Sequence, residues 1–280
     1  MSEQTRPDSS QTRAALTIAG SDSGGGAGIQ ADLKTFAALG VYGTSAITAI
    51  TAQNTVTVTD VLALPPAIVV AQIDAVADDL PVHAVKIGML ATADIAAAVA
   101  AALRRRALPH VVLDTVMVAK GGASLLDAAA VAAVREALFP LADVITANGP
   151  EAAALTELPV DSVAQARRAA ERLVALGAKA AIVKGGHLRG PAVDVLYDGT
   201  AFTELRAERI DTPHTHGTGC TFASAIAARL ALGDGLADAV RFAKSYVTEA
   251  IRRAPGLGHG HGPLEHFVEP GLRSEAPTRR

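Results

Sequence analysis

Brief, mostly apolar runs alternate with alanine-rich stretches along most of the chain. Residues 14–19, 84–87, 111–113, 144–146 and 180–183 are too short for helices. Their lack of polar alternation predicts strands buried on both faces. Residues 41–50 are rich in β-forming side chains, while 30–39, 92–105, 128–138, 162–176 and 221–230 read as helices. Strands and helices in this order predict an α/β fold, with a mostly parallel central sheet covered on both sides. The polar segments 1–13 and 273–280 predict loose tails. Between them no linker, repeat or charge block interrupts the pattern, so 14–272 reads as one domain.

In open α/β sheets, ligands bind beyond the carboxyl ends of the strands. Three such ends carry chemistry: Asp114, Asn148 with Glu151 three residues on, and Lys184 before Gly185-Gly-His187. Asp114 and Glu151 together suit Mg2+, which prefers carboxylate, water and phosphate oxygens. Glu151 equally suits a helix cap, since it follows Pro150 at the start of an Ala-rich run. Lys184 fits phosphate neutralisation or a solvated surface.

Charge excludes some partners. The 280 residues carry 25 basic against 28 acidic side chains, net −3, with neither a basic nucleic-acid surface nor a polybasic membrane patch. The uncharged stretch 35–59 is crowded with Thr, Gly, Ser, Gln and Asn and reads as protein core, not a membrane span. The opening residues lack the apolar centre of a secretory signal. With a single cysteine, Cys220, no internal disulfide forms. These features predict a cytoplasmic protein.

Two glycine turns feed helices. The first, Gly20-Ser-Asp-Ser-Gly-Gly-Gly-Ala-Gly28, matches neither the dinucleotide fingerprint nor a P-loop, and reads as either a ligand loop or a tight turn. The second, His214-Thr-His-Gly-Thr-Gly-Cys220, places backbone amides and the thiol at a helix start. Such amides can cradle an anion. The helix dipole is expected to lower the thiol pKa and make Cys220 a base or nucleophile; a small buried cysteine is the alternative. His259 and His261 have no obvious third metal ligand and predict a terminal loop packed near the site. Met89 and Met117 read as core or pocket wall.

The run Ala19-Gly-Ser-Asp-Ser-Gly-Gly-Gly-Ala-Gly-Ile-Gln-Ala-Asp-Leu-Lys-Thr-Phe36 resembles the hydroxymethylpyrimidine/phosphomethylpyrimidine kinases of thiamine biosynthesis. So do Thr48-Ala-Ile-Thr-Ala-Gln53-Asn-Thr, Val85-Lys-Ile-Gly-Met-Leu90, Asp114-Thr-Val-Met-Val-Ala-Lys120, Val183-Lys-Gly-Gly-His187 and Thr215-His-Gly-Thr-Gly-Cys220. The resemblance implies a ribokinase-like three-layer α/β/α sandwich, ATP and Mg2+, and two successive phosphoryl transfers to a small-molecule pyrimidine. It also implies a homodimer, the common state among relatives. On this resemblance Asp32 and Gln53 hydrogen-bond the aminopyrimidine, and Gly20, Met89 and Val116 line its pocket. Cys220 is the general base, where sugar kinases of the superfamily carry Asp. The Gly217 and Gly219 amides hold charge on the transferred phosphoryl. Asn148 and Glu151 organise magnesium and phosphate with Asp114 in support, Lys184 faces the nucleotide phosphates, and Thr218 joins the nucleotide-binding set. Ser23-Gly24, Thr115 and Ala147 depart from the family's usual Pro-Ser, Pro and Pro, which alters loop stiffness more than chemistry.

Three other readings compete. Pyridoxal kinases share the scaffold and the cysteine; a thiol hydrolase would pair Cys220 with His214 or His216; a vitamin- or nucleotide-binding module would bind without turnover.

Overall fold

The structure is a computed structural model describing residues 12–117, 128–187 and 192–269. Most of both expected tails lies outside these residues, as does the end of the motif running to Lys120. Nine strands form one sheet in the order β3-β2-β1-β4-β5-β6-β7-β8-β9. These are β1 (Ala14–Asp22), β2 (Tyr42–Gln53), β3 (Val58–Ala63), β4 (Val82–Ile87), β5 (Val111–Asp114), β6 (Val144–Asn148), β7 (Ala181–Lys184), β8 (Ala192–Tyr197) and β9 (Phe202–Ala207). From β2 to β7 every neighbouring pair is parallel; β3, β8 and β9 add antiparallel edges.

The helices are α1 (Gly28–Ala38), α2 (Pro66–Asp79), α3 (Ala93–Arg106), α4 (Ala128–Ala137), α5 (Gly149–Thr156), α6 (Val163–Ala175), α7 (Thr218–Ala231) and α8 (Leu236–Arg252). Strand side chains alternate between faces, so Leu16, Ile18, Val111 and Leu113 enter a core with α2 to α6. Ala15, Ala84, Val112 and Val144 face the other core, built with α1, α7 and α8. Both faces are therefore covered, and the three-layer α/β/α expectation holds.

Local signals set several helix starts. Thr92 accepts a hydrogen bond from the Ile95 amide, Asp94 occupies the first turn of α3, and Arg104–Arg106 occupy its last, each complementing the helix dipole. Ser162 caps α6 in the same way. The amphipathic α8 carries its buried residues at 239, 240, 243, 246, 247 and 250, a helical spacing that the sequence reading passed over. Also unread were α2 and the outer strands β3, β8 and β9. In β3 most side chains are exposed, leaving no apolar run to mark it.

Among the described residues no helix is long and apolar enough to cross a membrane. The segment 35–59, expected to be core, forms the end of α1, the strand β2 and the start of β3, and is only partly buried: Phe36, Val41, Ala46 and Ala49 are buried, while Tyr42, Ile50 and Val56 are exposed.

Candidate active site

Because β1, β4, β5, β6 and β7 are parallel, their carboxyl ends lie along one edge of the sheet. They open onto a cavity of about 980 Å3. Gly20, Gln53, Met89, Asp114, Val116, Asn148, Glu151, Lys184, Gly217, Thr218, Gly219 and Cys220 all line it. Twelve of the thirteen residues singled out from the sequence thus share one site. The exception is Asp32.

Asp32 is fully buried in α1, beneath the cavity floor. Its carboxylate accepts hydrogen bonds from Thr17 at 2.6 Å, Ser224 at 2.7 Å and Lys86 at 2.8 Å. The expected contact with a ligand is corrected: these partners already occupy the carboxylate, and no face of it lines the cavity. Burial raises the Asp32 pKa, against the pull of Lys86.

The two glycine turns interlock. Asp22, at the end of β1, accepts hydrogen bonds from the amides of Gly24 (2.8 Å), Gly26 (3.1 Å) and Ala27 (2.8 Å). The same carboxylate lies 2.8 Å from His216 Nε2 in the second turn. Gly217 caps α7 with φ +80°, and a Cβ there would collide with the Gly26 carbonyl oxygen, so only glycine permits this approach. The Thr218 amide reaches the Thr215 carbonyl at 3.4 Å, while the next amides, of Gly219 and Cys220, precede the point at which helical carbonyls become available to them, the kind of helix start that favours negative charge.

That terminus faces a charged pair. Lys184 Nζ donates to Asp114 Oδ1 at 3.0 Å, as does Thr146 Oγ1 at 2.8 Å. A Cβ on Gly219 would lie 3.2 Å from Lys184 Nζ and 3.4 Å from Asp114 Oδ2. Burial alone would raise the Asp114 carboxyl, but Lys184 and Lys86 hold it below its ordinary value. Burial opposes the charge on Lys184, yet Asp114 and Glu151 keep its pKa raised. Glu151 is raised by burial and by the Asp114 charge, with Lys184 opposing.

Glu151 does form the cap that was its alternative reading. It and Asn148 make a reciprocal capping box at α5, with Glu151 Oε2 accepting from the Asn148 amide at 2.8 Å. Thr115, standing where the resembled family has proline, donates to the Thr146 carbonyl at 3.2 Å and reaches Glu151 Oε2 at 3.4 Å. Asp114 Oδ2 is buried without a hydrogen-bond partner. Hard oxygen donors with one atom unsatisfied fit Mg2+, which takes few protein carboxylates and completes its shell with water and phosphate. No cluster of three or more His, Cys, Asp or Glu side chains occurs among the described residues.

Cys220 overturns the expected pKa. Burial pushes its thiol up to about 11; Lys86 and a hydrogen bond from the Gly28 amide pull the other way, while Asp32 and Asp114 add to the rise. The helix N-terminus therefore does not leave a resting thiolate. His216 is committed to Asp22, and His214 lies outside the cavity lining, against Gly262. Among the described residues no hydrogen bond joins Cys220 to a histidine, as a thiol hydrolase would need.

The sequence offers Asp22, Thr51 and Lys86 no site role and His216 only one as a hydrolase partner of Cys220, although all four line the cavity. Asp22 and His216 sat inside the two glycine motifs, which was the available signal. The loop carrying His259 and His261 does pack near the site: the His261 amide donates to the Thr55 carbonyl at 2.8 Å, and the His216 amide to the Gly262 carbonyl at 3.1 Å.

Comparison with known proteins bears on what this cavity serves. Residues 22–265 match the phosphomethylpyrimidine kinase family. The chain belongs to that family. It is an enzyme, a kinase with a ribokinase-like fold. The hydroxymethylpyrimidine/phosphomethylpyrimidine kinase of Haemophilus influenzae is 50% identical over 265 residues, covering 92% of this chain and 98% of the relative. A thiamine biosynthesis bifunctional protein of Geobacter sulfurreducens is 54% identical over 254 residues; the chain spans about half of that relative, 52% of its length. Among solved structures, an ADP complex of Bacillus subtilis pyridoxal kinase superposes with a TM-score of 0.84 at 41% identity, covering 91% of this chain and 97% of that one.

Proposed function

We propose that this kinase transfers the γ-phosphoryl group of ATP to the hydroxymethyl oxygen of hydroxymethylpyrimidine, and then a second phosphoryl group to the resulting monophosphate, for thiamine biosynthesis. The observation that carries this reading is the family match over residues 22–265, joined to a cavity in which Cys220, the Gly217–Gly219 turn and the Asp114–Lys184 pair converge.

Phosphoryl transfer is chiefly a matter of positioning and charge stabilisation. Gln53 meets the aminopyrimidine, with Gly20, Met89 and Val116 as walls. Asp114 and Glu151, with Asn148 beside them, hold Mg2+, which offsets phosphate charge when bound. Lys184 and Thr218 meet the nucleotide phosphates, and the Gly217–Gly219 turn offers amides to the oxygens of the moving group. The substrate hydroxyl forms the new P–O bond as the bond to the leaving ADP oxygen breaks. The hydroxyl proton passes to Cys220 Sγ as thiolate, the thiol's own proton having gone first to water in the open cavity. Lys86 and the Gly28 amide are the groups that favour that loss.

Residues 14–272 act as one kinase domain, in the cytoplasm, as a homodimer. The edge strand β3 and its neighbour β2 support pairing with a second copy: Val61 is 44% exposed, Leu62 63% and Ile50 48%.

Purified protein with Mg-ATP and hydroxymethylpyrimidine should yield the pyrimidine mono- and diphosphate, resolved by chromatography. Phosphorylation of pyridoxal alone would move the assignment to vitamin B6 salvage. No product from either substrate would refute the kinase roles of Cys220 and Lys184. Cys220→Ala should keep pyrimidine binding while turnover collapses by about 10²–10⁴-fold, the usual contribution of a positioned base.

A further inference from the structure

Gln53 ends β2 with its side chain in the cavity wall, among groups that restrict which way its carboxamide can face. In the structure its oxygen lies 3.1 Å from Thr51 Oγ1 and its nitrogen 3.3 Å from His216 Nε2. Counting hydrogens decides between this orientation and the reverse. Thr51 has one hydroxyl hydrogen, and the Ser21 carbonyl accepts it at 2.9 Å. Toward Gln53, Thr51 Oγ1 is then an acceptor and requires an N–H.

His216 is constrained as firmly. Its Nε2 lies 2.8 Å from Asp22 Oδ2, which also accepts from the Gly26 and Ala27 amides. A lone pair on Nε2 would oppose the carboxylate, so Nε2 carries a hydrogen, directs it at Asp22 and has no lone pair with which to accept from Gln53. A second N–H cannot face it. Both ends of the carboxamide therefore call for the same turn, with the oxygen toward His216 and the nitrogen toward Thr51.

We infer that His216, held by Asp22, is a positioning residue that fixes the Gln53 carboxamide, acting jointly with Thr51, and so sets which heterocycle edge the site accepts. An amide has two N–H donors and two oxygen lone pairs. With one donor used by Thr51 and one side of the oxygen turned toward His216, whose Nε2 hydrogen is directed at Asp22, a single N–H and a single lone pair face the ligand. That pair matches a ring-nitrogen acceptor on the Thr51 side and an exocyclic amine on the His216 side, the edge of a 4-aminopyrimidine. It opposes the 4-oxo analogue, whose ring N–H and carbonyl reverse the pattern. A carboxamide free to turn over would meet either. This inference rests on the proposed pyrimidine substrate and adds the device that selects it.

Calorimetric binding of 4-amino-5-hydroxymethyl-2-methylpyrimidine and of its 4-oxo analogue tests this without requiring turnover. The unaltered protein should favour the amino compound. His216→Phe, which removes the N–H that turns the Gln53 nitrogen away, should reduce that preference by about tenfold or more, whereas His216→Gln, which keeps an N–H there, should retain most of it. Thr51→Val removes the other anchor, lies outside the Gly217–Gly219 turn and should reduce the preference similarly. Thermal melting establishes that each variant folds. Unaltered preference in both His216→Phe and Thr51→Val would overturn the inference, as would equal binding of the two compounds by the unaltered protein. Intact preference without phosphorylation would instead overturn the kinase substrate and leave the positioning role standing.

Discussion

Alkylation of Cys220 in the ligand-free protein should be slow at neutral pH and should rise about tenfold with each pH unit, without levelling off below about pH 9.5. The perturbation is pH alone, and Cys220 is the only thiol in the chain, so nothing else reports. The thiol pKa is pushed up to about 11, first by burial, with Asp32 and Asp114 adding to it against Lys86. At pH 7 that leaves a thiolate fraction of about 10⁻⁴, against about 3 × 10⁻² for an ordinary cysteine, so alkylation should run roughly 300-fold slower than for a free thiol. Mass spectrometry of iodoacetamide-treated protein, with N-acetylcysteine as reference, measures both the rate and its slope. A plateau below about pH 8 would show that the helix N-terminus outweighs burial, and would refute desolvation as the dominant influence on this thiol. The sign for stability agrees: the native thiol holds its proton to higher pH than the unfolded one, so this group's contribution is intact below about 9 and declines as pH rises toward about 11.

Lys86→Met should destabilise the fold by about 3–5 kcal/mol in denaturant titration, because it leaves the wholly buried Asp32 carboxyl without the cation that offsets its burial. Adding Asp32→Asn to that variant should recover much of the loss; equal instability of single and double variants would contradict the pairing. Asn148→Ala removes the Oδ1 that accepts from the Glu151 amide at the start of α5 and should lower stability by about 1 kcal/mol, and turnover should fall as well because the carboxamide beside the Asp114–Glu151 pair is lost. Leu62→Lys places a charge on the exposed edge strand and should shift the sedimentation profile from dimer to monomer; an unchanged profile would place the interface elsewhere.

Much of the architecture was legible in the sequence because strands buried on both faces are written as mostly apolar runs. The capping acid Glu151 and the glycines at 217 and 219 were equally legible, since a helix start and a close backbone approach each demand particular residue types. Less was visible at the edges: β3 presents Thr59, Asp60, Val61 and Leu62 to solvent, so no burial pattern marked it as a strand. The α8 helix had a readable stripe that went unread.

The sequence by itself determined the fold class and nearly all of the residues that meet at the cavity, because parallel strands bring their carboxyl ends to one edge whatever lies between them. Only the tertiary structure decided what those residues are to one another. It buried Asp32 against Lys86, Thr17 and Ser224, since a charge in the core must find partners brought from distant elements. It raised the Cys220 thiol although a helix start was expected to lower it, because desolvation depends on how the surrounding elements close over the group. And it joined Asp22 to His216 and, through it, to Gln53, residues far apart in the chain whose hydrogen bonds no local pattern records.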